Sequence, residues 1–300
     1  MQRGRCPRRA RATLEDAGVM AVAEEQTRRE KPAILLGIAN PAMVEPLAIL
    51  AARLAKGADH RLVVSHMVSI PPQMDLAAAR ELPEVSRASA LLRYAVRVAS
   101  RRGVQAEAVV EAARDPHQGL VSAVESQDAR LLLVGYAKPD GEDPEGHRLE
   151  NVMRGVAEEA RCDLVVAKLQ SDAFDSVYVP IADETNLPLT SLLVRSLAET
   201  GTRARFGRVA SPDVDREEAS RELKDLLRKY QLSGLGPAEL LVGKDPTTKI
   251  LERARAHHGL IVGARPRASL ASGLFGDRSE RLADQAECSV LVVRSHHRGR

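Results

Sequence analysis

Three hundred residues carrying a net charge of +3 suit two domains, each large enough for its own core. Hydrophobic residues make up 44% and aromatics 2%, with no Trp. The cores must therefore be built from Ala, Val and Leu, and the stacking platforms that single-stranded nucleic acids use are scarce. No window reaches the roughly 18 continuous apolar residues of a membrane span.

Residues 1–31 include the basic run MQRGRCPRRARAT and read as a disordered, solvated tail. AILLGIA (33–39) is a continuous apolar run, the mark of a strand buried on both faces. Asn40-Pro41 breaks it, and residues 41–57 carry helical periodicity up to Gly57, read as a helix C-cap. HRLVVSHMVSI (60–70) is a second strand, and residues 83–102 form a long amphipathic helix stopped by Gly103. VQAEAVVEAAR (104–114) alternates as a strand with one covered face does. Asp115 is an N-cap with Pro116 at the first helical position, and this helix reaches about Gln127. RLLLVGY (130–136) is a fourth strand, 137–148 a polar Gly/Pro-rich loop, 150–160 a helix, and CDLVVAKL (162–169) a fifth strand.

After a short linker at 170–175 the order repeats. SVYVPIA (176–182) is strand one, 188–200 a helix, ARFGRVA (204–210) strand two, and 215–231 a highly charged amphipathic helix. AELLVG (238–243) is strand three. Asp245-Pro246 again caps and starts a helix, GLIVGA (259–264) is strand four, 278–287 a helix, and CSVLVVRS (288–295) strand five. The paired landmarks are Asp115-Pro116 with Asp245-Pro246, Gly135 with Gly263, and Cys162 with Cys288. They mark a tandem duplication, domain one at 32–169 and domain two at 176–296.

Apolar strands alternating with helices define an α/β protein with right-handed crossovers. Each copy is expected to be an open, five-stranded, parallel, doubly wound sheet of order 3-2-1-4-5. Ligands of such sheets sit outside the carboxyl ends of the strands where the connections switch faces, here at the ends of strands one and four. Both fifth strands are apolar enough to pair with each other, which would make the two copies a pseudo-twofold dimer within one chain.

The three cysteines fit no disulfide framework and no metal-ligand spacing; Cys162 and Cys288 read as small buried hydrophobes, Cys6 as part of the tail. His66 reads as a satisfied core histidine, and His257-His258 as cations suited to a helix end. No Ser-His-Asp, paired-acid or Cys-His arrangement is apparent. The chemistry concentrates in GARPRASLASGLFGDRSERL (263–282). Glycines permit close main-chain approach at a helix start, the ready-made anion site, and Arg265, Arg267 and Arg278 add positive charge.

Over about 32–169 and 174–296 the chain resembles the universal stress protein family. The resemblance rests on the order of elements, the strand-four glycine, the Gly-loop-helix segment and the ending A-x-C-x-V-L-V-V-R. Copy one's IANPA and IPPQMDLAAAREL also resemble the stress-protein-like cytoplasmic tails of some amino-acid and cation transporters. The resemblance implies an adenine-nucleotide alpha-hydrolase-like fold, a cytoplasmic regulatory role without catalysis, and ATP or another adenine nucleotide as ligand in domain two. Nucleotide-binding members carry Gly-x2-Gly-x9-Gly-Ser/Thr after strand four. Gly263 matches the first glycine, Pro266 stands at the second, Gly276 matches the third, and Asp277 stands at the Ser/Thr. Ser279 matches a serine two residues further on, and the family's aspartate ending strand one falls at Ala182, with Asp183 next. The implied nucleotide set is Asp183, Gly263, Arg265, Arg267, Gly276, Arg278 and Ser279. Copy one departs further. Lys138 stands at the second glycine, Glu150-Asn151 at the final pair, Ala39 at the strand-one aspartate, and Asp140, Glu142, Asp143 and Glu145 crowd the loop.

A second reading stays open: an interaction or scaffold module without nucleotide, regulating a partner protein such as a membrane transporter. Association of two chains also stays open. An adenylating enzyme of the same fold would carry a Ser-Gly-Gly-rich loop after strand one, where this chain has Asn40-Pro41 and Asp183-Glu184.

Overall fold

Runs such as AILLG and RLLLVG have no polar face to show to water, so they can lie only in the middle of a sheet covered on both sides. The computed structural model describes residues 12–13, 31–71, 73–74, 78–136, 155–264 and 277–296. Copy one contributes β2 (Ala33–Gly37), α1 (Val44–Ala58), β3 (Arg61–Ser69), α2 (Pro83–Arg101), β4 (Ala106–Ala113), α3 (Pro116–Ser126), β5 (Ala129–Gly135) and β6 (Asp163–Lys168). Residues 155–159 are helical. Copy two contributes β7 (Ser176–Pro180), α4 (Leu187–Glu199), β8 (Arg203–Ala210), α5 (Arg216–Lys229), β9 (Ala238–Val242), α6 (Pro246–Ala254), β10 (Gly259–Gly263), α7 (Asp277–Gln285) and β11 (Ser289–Arg294). The two-residue strand β1 (Ala12–Thr13) lies antiparallel on the edge of β4.

The strand order is β1-β4-β3-β2-β5-β6-β11-β10-β7-β8-β9. Within copy one this is 3-2-1-4-5, all parallel, and copy two mirrors it. The expected pairing of the fifth strands is present. β6 and β11 run antiparallel with Val166 opposite Val292 at the centre, Lys168 opposite Val290 and Leu164 opposite Arg294. The two sheets are therefore one.

The caps follow the sequence. The Asp115 carboxylate accepts from the His117 amide at 3.0 Å and that of Asp245 from Thr247 at 3.0 Å, each with Pro at the next position. Each such cap contributes about 1 kcal/mol. Helix α5 buries a narrow stripe, Ala219, Leu223 and Leu227, as a helix at the rim should. Helix α1 buries Val44, Leu47, Ala48, Ile49, Leu50, Ala51, Ala52, Leu54 and Ala55. It is apolar nearly all round because it is wedged between the sheet, α2 and α4. One core runs along this face through both copies, and a second lies on the opposite face beneath α3, α6 and α7.

One sequence reading is corrected here. Gly57 is not the C-cap of α1; the helix runs to Ala58, and Asp59 takes the left-handed position at φ 53°. Gly57 is instead the crossing point of α1 and α4, where a Cβ would overlap the Cα and carbonyl oxygen of Ser196. Beside it Arg53 reaches across to copy two. Its Nε donates to Thr200 Oγ1 at 2.9 Å, and its Nη2 donates to Thr202 Oγ1 at 2.6 Å and to the Thr200 carbonyl at 3.3 Å. Lys168 Nζ donates to the carbonyl of Ala283 at 2.6 Å, and Gln170 Nε2 to that of Ala286 at 3.0 Å. The two copies lie against each other, as the shortness of the linker leads one to expect.

Cys162 and Cys288 are buried, and burial pushes the Cys162 thiol up to about 12 and that of Cys288 upward. Both are held as protonated, apolar-like side chains. His66, half-buried on β3, places Nδ1 2.7 Å from the Ile38 carbonyl, and burial holds its pKa below the ordinary histidine value of 6.5. The folded chain thus binds fewer protons at this site than the unfolded chain. The stabilising contribution is intact above 6.5 and is lost as the pH falls towards the depressed folded value. His257, also lowered first by burial, acts in the same direction. Chemical denaturation should show stability falling between about pH 7 and about pH 5, with a shallower fall in His66→Gln. An unchanged slope in that variant would remove His66 from this account.

Candidate functional site

The carboxyl ends of β7 and β10 bring together what the sequence spaced apart. Gly263 closes β10, and the side chain of Asn186, at the start of α4, lies directly over it. A Cβ on Gly263 would stand 2.7 Å from Asn186 Nδ2, so a larger residue would push the Asn186 side chain aside. Asn186 does not cap its own helix. Its amide nitrogen donates to the Ala264 carbonyl at 2.6 Å, and its amide oxygen accepts from the Ser295 N–H at 2.9 Å. It thus ties the ends of β10 and β11 to the entry of α4. Ser279, in the first turn of α7 and buried, donates its hydroxyl to the Gly263 carbonyl at 3.0 Å.

Of the sequence-derived set, Gly263 and Ser279 lie in contact. Arg278 is exposed beside Ser279. Asp183 is exposed in the loop after β7, and its carboxylate accepts from the Thr185 amide at 2.9 Å, an Asx turn. Arg265, Arg267 and Gly276 lie outside the described residues. Asn186 is the residue the sequence reading missed. An Asn preceding Leu-Pro at a helix start looks like an N-cap, and its lateral use becomes visible only once β10 and β11 are placed.

The same place in copy one is apolar. Leu47 of α1 packs over the end of β5, its Cδ1 3.0 Å from where a Gly135 Cβ would be. The loop carrying Lys138, Asp140, Glu142, Asp143, Glu145 and Glu150-Asn151 lies outside the described residues. Among the described residues no group of three or more His, Cys, Asp or Glu side chains is placed to hold a metal ion, and no helix is long and apolar enough to cross a membrane. His258 does not extend a metal cluster; its Nδ1 accepts from the Asp175 N–H at 3.3 Å. His257 stacks on Tyr178 with ring centroids 5.7 Å apart.

A doubly wound unit of five parallel strands, present twice and joined edge to edge, with a glycine ending the fourth strand of each copy, defines the class. The chain belongs to the universal stress protein family, whose pattern matches residues 32–168 and again 172–294. A universal stress protein from Archaeoglobus fulgidus DSM 4304 has the same fold, with TM-score 0.63 and 17% identity over 89% of this chain and 97% of its own. The cytoplasmic domain of a prokaryotic cation chloride cotransporter superposes with TM-score 0.62 at 11% identity, covering 90% of this chain and 97% of its own. A protein of unknown function from Pseudomonas aeruginosa PAO1 gives TM-score 0.56 at 14% identity over 90% and 95%. No curated protein matches the chain in sequence.

Proposed function

We propose that the chain is a regulatory, stress-response module of the universal stress family, without catalysis of its own, whose second copy takes an adenine nucleotide. The observation that carries this reading is the polar cluster at the ends of β7 and β10. There the exposed Gly263 lies beneath Asn186 and beside Ser279, at the switch point where sheets of this kind receive ligands. The start of α7 and the exposed Arg278 favour phosphate electrostatically, and Arg265, Arg267 and Gly276 complete the proposed set. Asp183, exposed in the loop after β7, is assigned to the ribose side. The apolar closure by Leu47 supports assigning the ligand to copy two alone.

Calorimetric titration of ATP with Mg²⁺ into the full chain tests this. Micromolar binding, about −8 kcal/mol, is the expected result, abolished in Gly276→Val. Asp277→Ser removes a carboxylate from the phosphate side and should tighten binding by about tenfold, roughly the value of one partly screened charge. A flat titration with an unchanged melting temperature would overturn the nucleotide reading.

One observation favours a second reading. The Asn186 amide and the Ser279 hydroxyl already have protein partners, as they would in a module that works through protein contacts, with a membrane transporter among its partners. The flat titration is the result this reading expects.

A further inference from the structure

A recess lies between the copies, away from the cluster at Gly263. It has a volume of about 520 Å³ and is lined from both copies and from the linker, within the roughly 300–1,000 Å³ range of small-molecule sites. Its charges are segregated by origin. Arg53 and Lys56, one turn apart on α1, and Arg102, just beyond α2, come from copy one. Asp172 and Asp175 of the linker and Glu199 of α4 come from the other side. Ala173, Thr200 and the buried Phe174 contribute to the lining between them.

Three cations and three carboxylates line one recess, yet among the described residues no ion pair joins the two sets. Arg53 is held by Thr200 and Thr202, and Asp175 faces His258 at 3.6 Å. Lys56, Arg102, Asp172 and Glu199 have no partner among the described residues. Burial lowers the Arg53 pKa while nearby Asp175 raises it, as for a cation set part-way into the boundary. Lys56, Arg102, Asp172 and Glu199 line the same recess at exposed positions without pairing, which leaves both signs of charge available to a bound molecule. A molecule that satisfies both sides must itself carry both charges.

We propose that this inter-copy recess binds a zwitterionic small molecule, an amino acid or short peptide, with its carboxylate towards Lys56 and Arg102 and its ammonium towards Asp172 and Glu199. Arg53 is a positioning residue, locked by the threonines so that the cationic side keeps its shape. Because the ligand touches both copies, its binding stiffens the seam between them, and the module reads the concentration of that molecule as a change in inter-copy rigidity. The inference is independent of nucleotide binding. Asp175 immediately precedes β7, whereas Gly263 ends the parallel strand β10, so the two places are at opposite ends of copy two's strands.

The test is thermal melting and calorimetry of the full chain with the standard free amino acids and glycylglycine as probes. Glycinamide and N-acetylglycine serve as the probes with a single charge. The expected result is a raised melting temperature and submillimolar binding for at least one zwitterion, with each single-charge analogue about tenfold weaker or worse. Lys56→Glu and Glu199→Lys, both at exposed positions, should each weaken that binding about tenfold or more and leave the melting temperature of the free chain unchanged. Binding should also weaken with added salt, and Gly276→Val should leave it intact. The proposal is overturned by a panel that shifts nothing, by single-charge analogues that bind as well as the zwitterion, or by charge reversals that leave affinity unchanged.

Discussion

Gly57→Val is expected to cost about 3 kcal/mol or more, the upper end of what overpacking a close contact does. The reason lies in what the new side chain would meet. Side-chain ends can rotate away, but the atoms facing Gly57 are the Cα, carbonyl carbon and carbonyl oxygen of Ser196, which move only if α4 moves. Helix α4 is fixed by Leu193, Val194 and Leu197 in the core it shares with α1, so the helices must separate and the Arg53 bonds to Thr200 and Thr202 stretch with them. Urea denaturation followed by circular dichroism gives the magnitude. Gly57→Ala should be milder and still destabilising, and Ser196→Gly should not rescue either variant, because the overlap is with main chain. Rescue by Ser196→Gly would show that the helices meet through side chains instead.

The second large effect is expected at the seam. Val292 faces Val166 at the centre of the β6–β11 pairing, both buried on the face beneath α3 and α7. Val292→Asp sets a carboxylate in that apolar layer with no cation in register, and should cost about 4 kcal/mol. Its signature is a change in cooperativity. The parent chain should melt in one transition, because both core layers continue across the seam. The variant should melt in two, the copies unfolding separately. Scanning calorimetry distinguishes these outcomes, and a variant that keeps a single transition at a lower temperature would show that the α1–α4 contact alone couples the copies.

The architecture could be read from the chain because its signals are local and repeated. Asp115-Pro116 and Asp245-Pro246 mark helix starts whichever neighbours surround them, and AILLG or RLLLVG can be little else but central parallel strands. Even the pairing of β6 with β11 was accessible, since two apolar fifth strands must each be covered. What escaped depends on contacts between distant segments. Gly57 stands where a C-cap glycine would, and nothing in AARLAKGAD tells that Ser196 lies against it. Asn186 has the sequence context of a cap and the role of a tie between strands. Ser279 was placed at the correct strand end, but the direction of its hydroxyl, inward to Gly263, is a tertiary fact. The inter-copy recess draws its charges from α1, the end of α2, the linker and α4, and no pattern along the chain joins four such segments.

The covalent join between the copies has a consequence for how such a protein can change. In a dimer of separate identical chains, any substitution appears on both sides of the axis, and assembly is lost on dilution. Here the linker presents β11 to β6 at a fixed effective concentration, so the seam forms at any protein concentration. Each half can then vary without obliging the other to follow. Leu47 can seal one crevice while Asn186 keeps the other polar, and Lys56 can face Glu199 across a recess that a strictly symmetric pair would line with like charges. Fusion has converted a concentration-dependent assembly into a heterodimer encoded by a single reading frame.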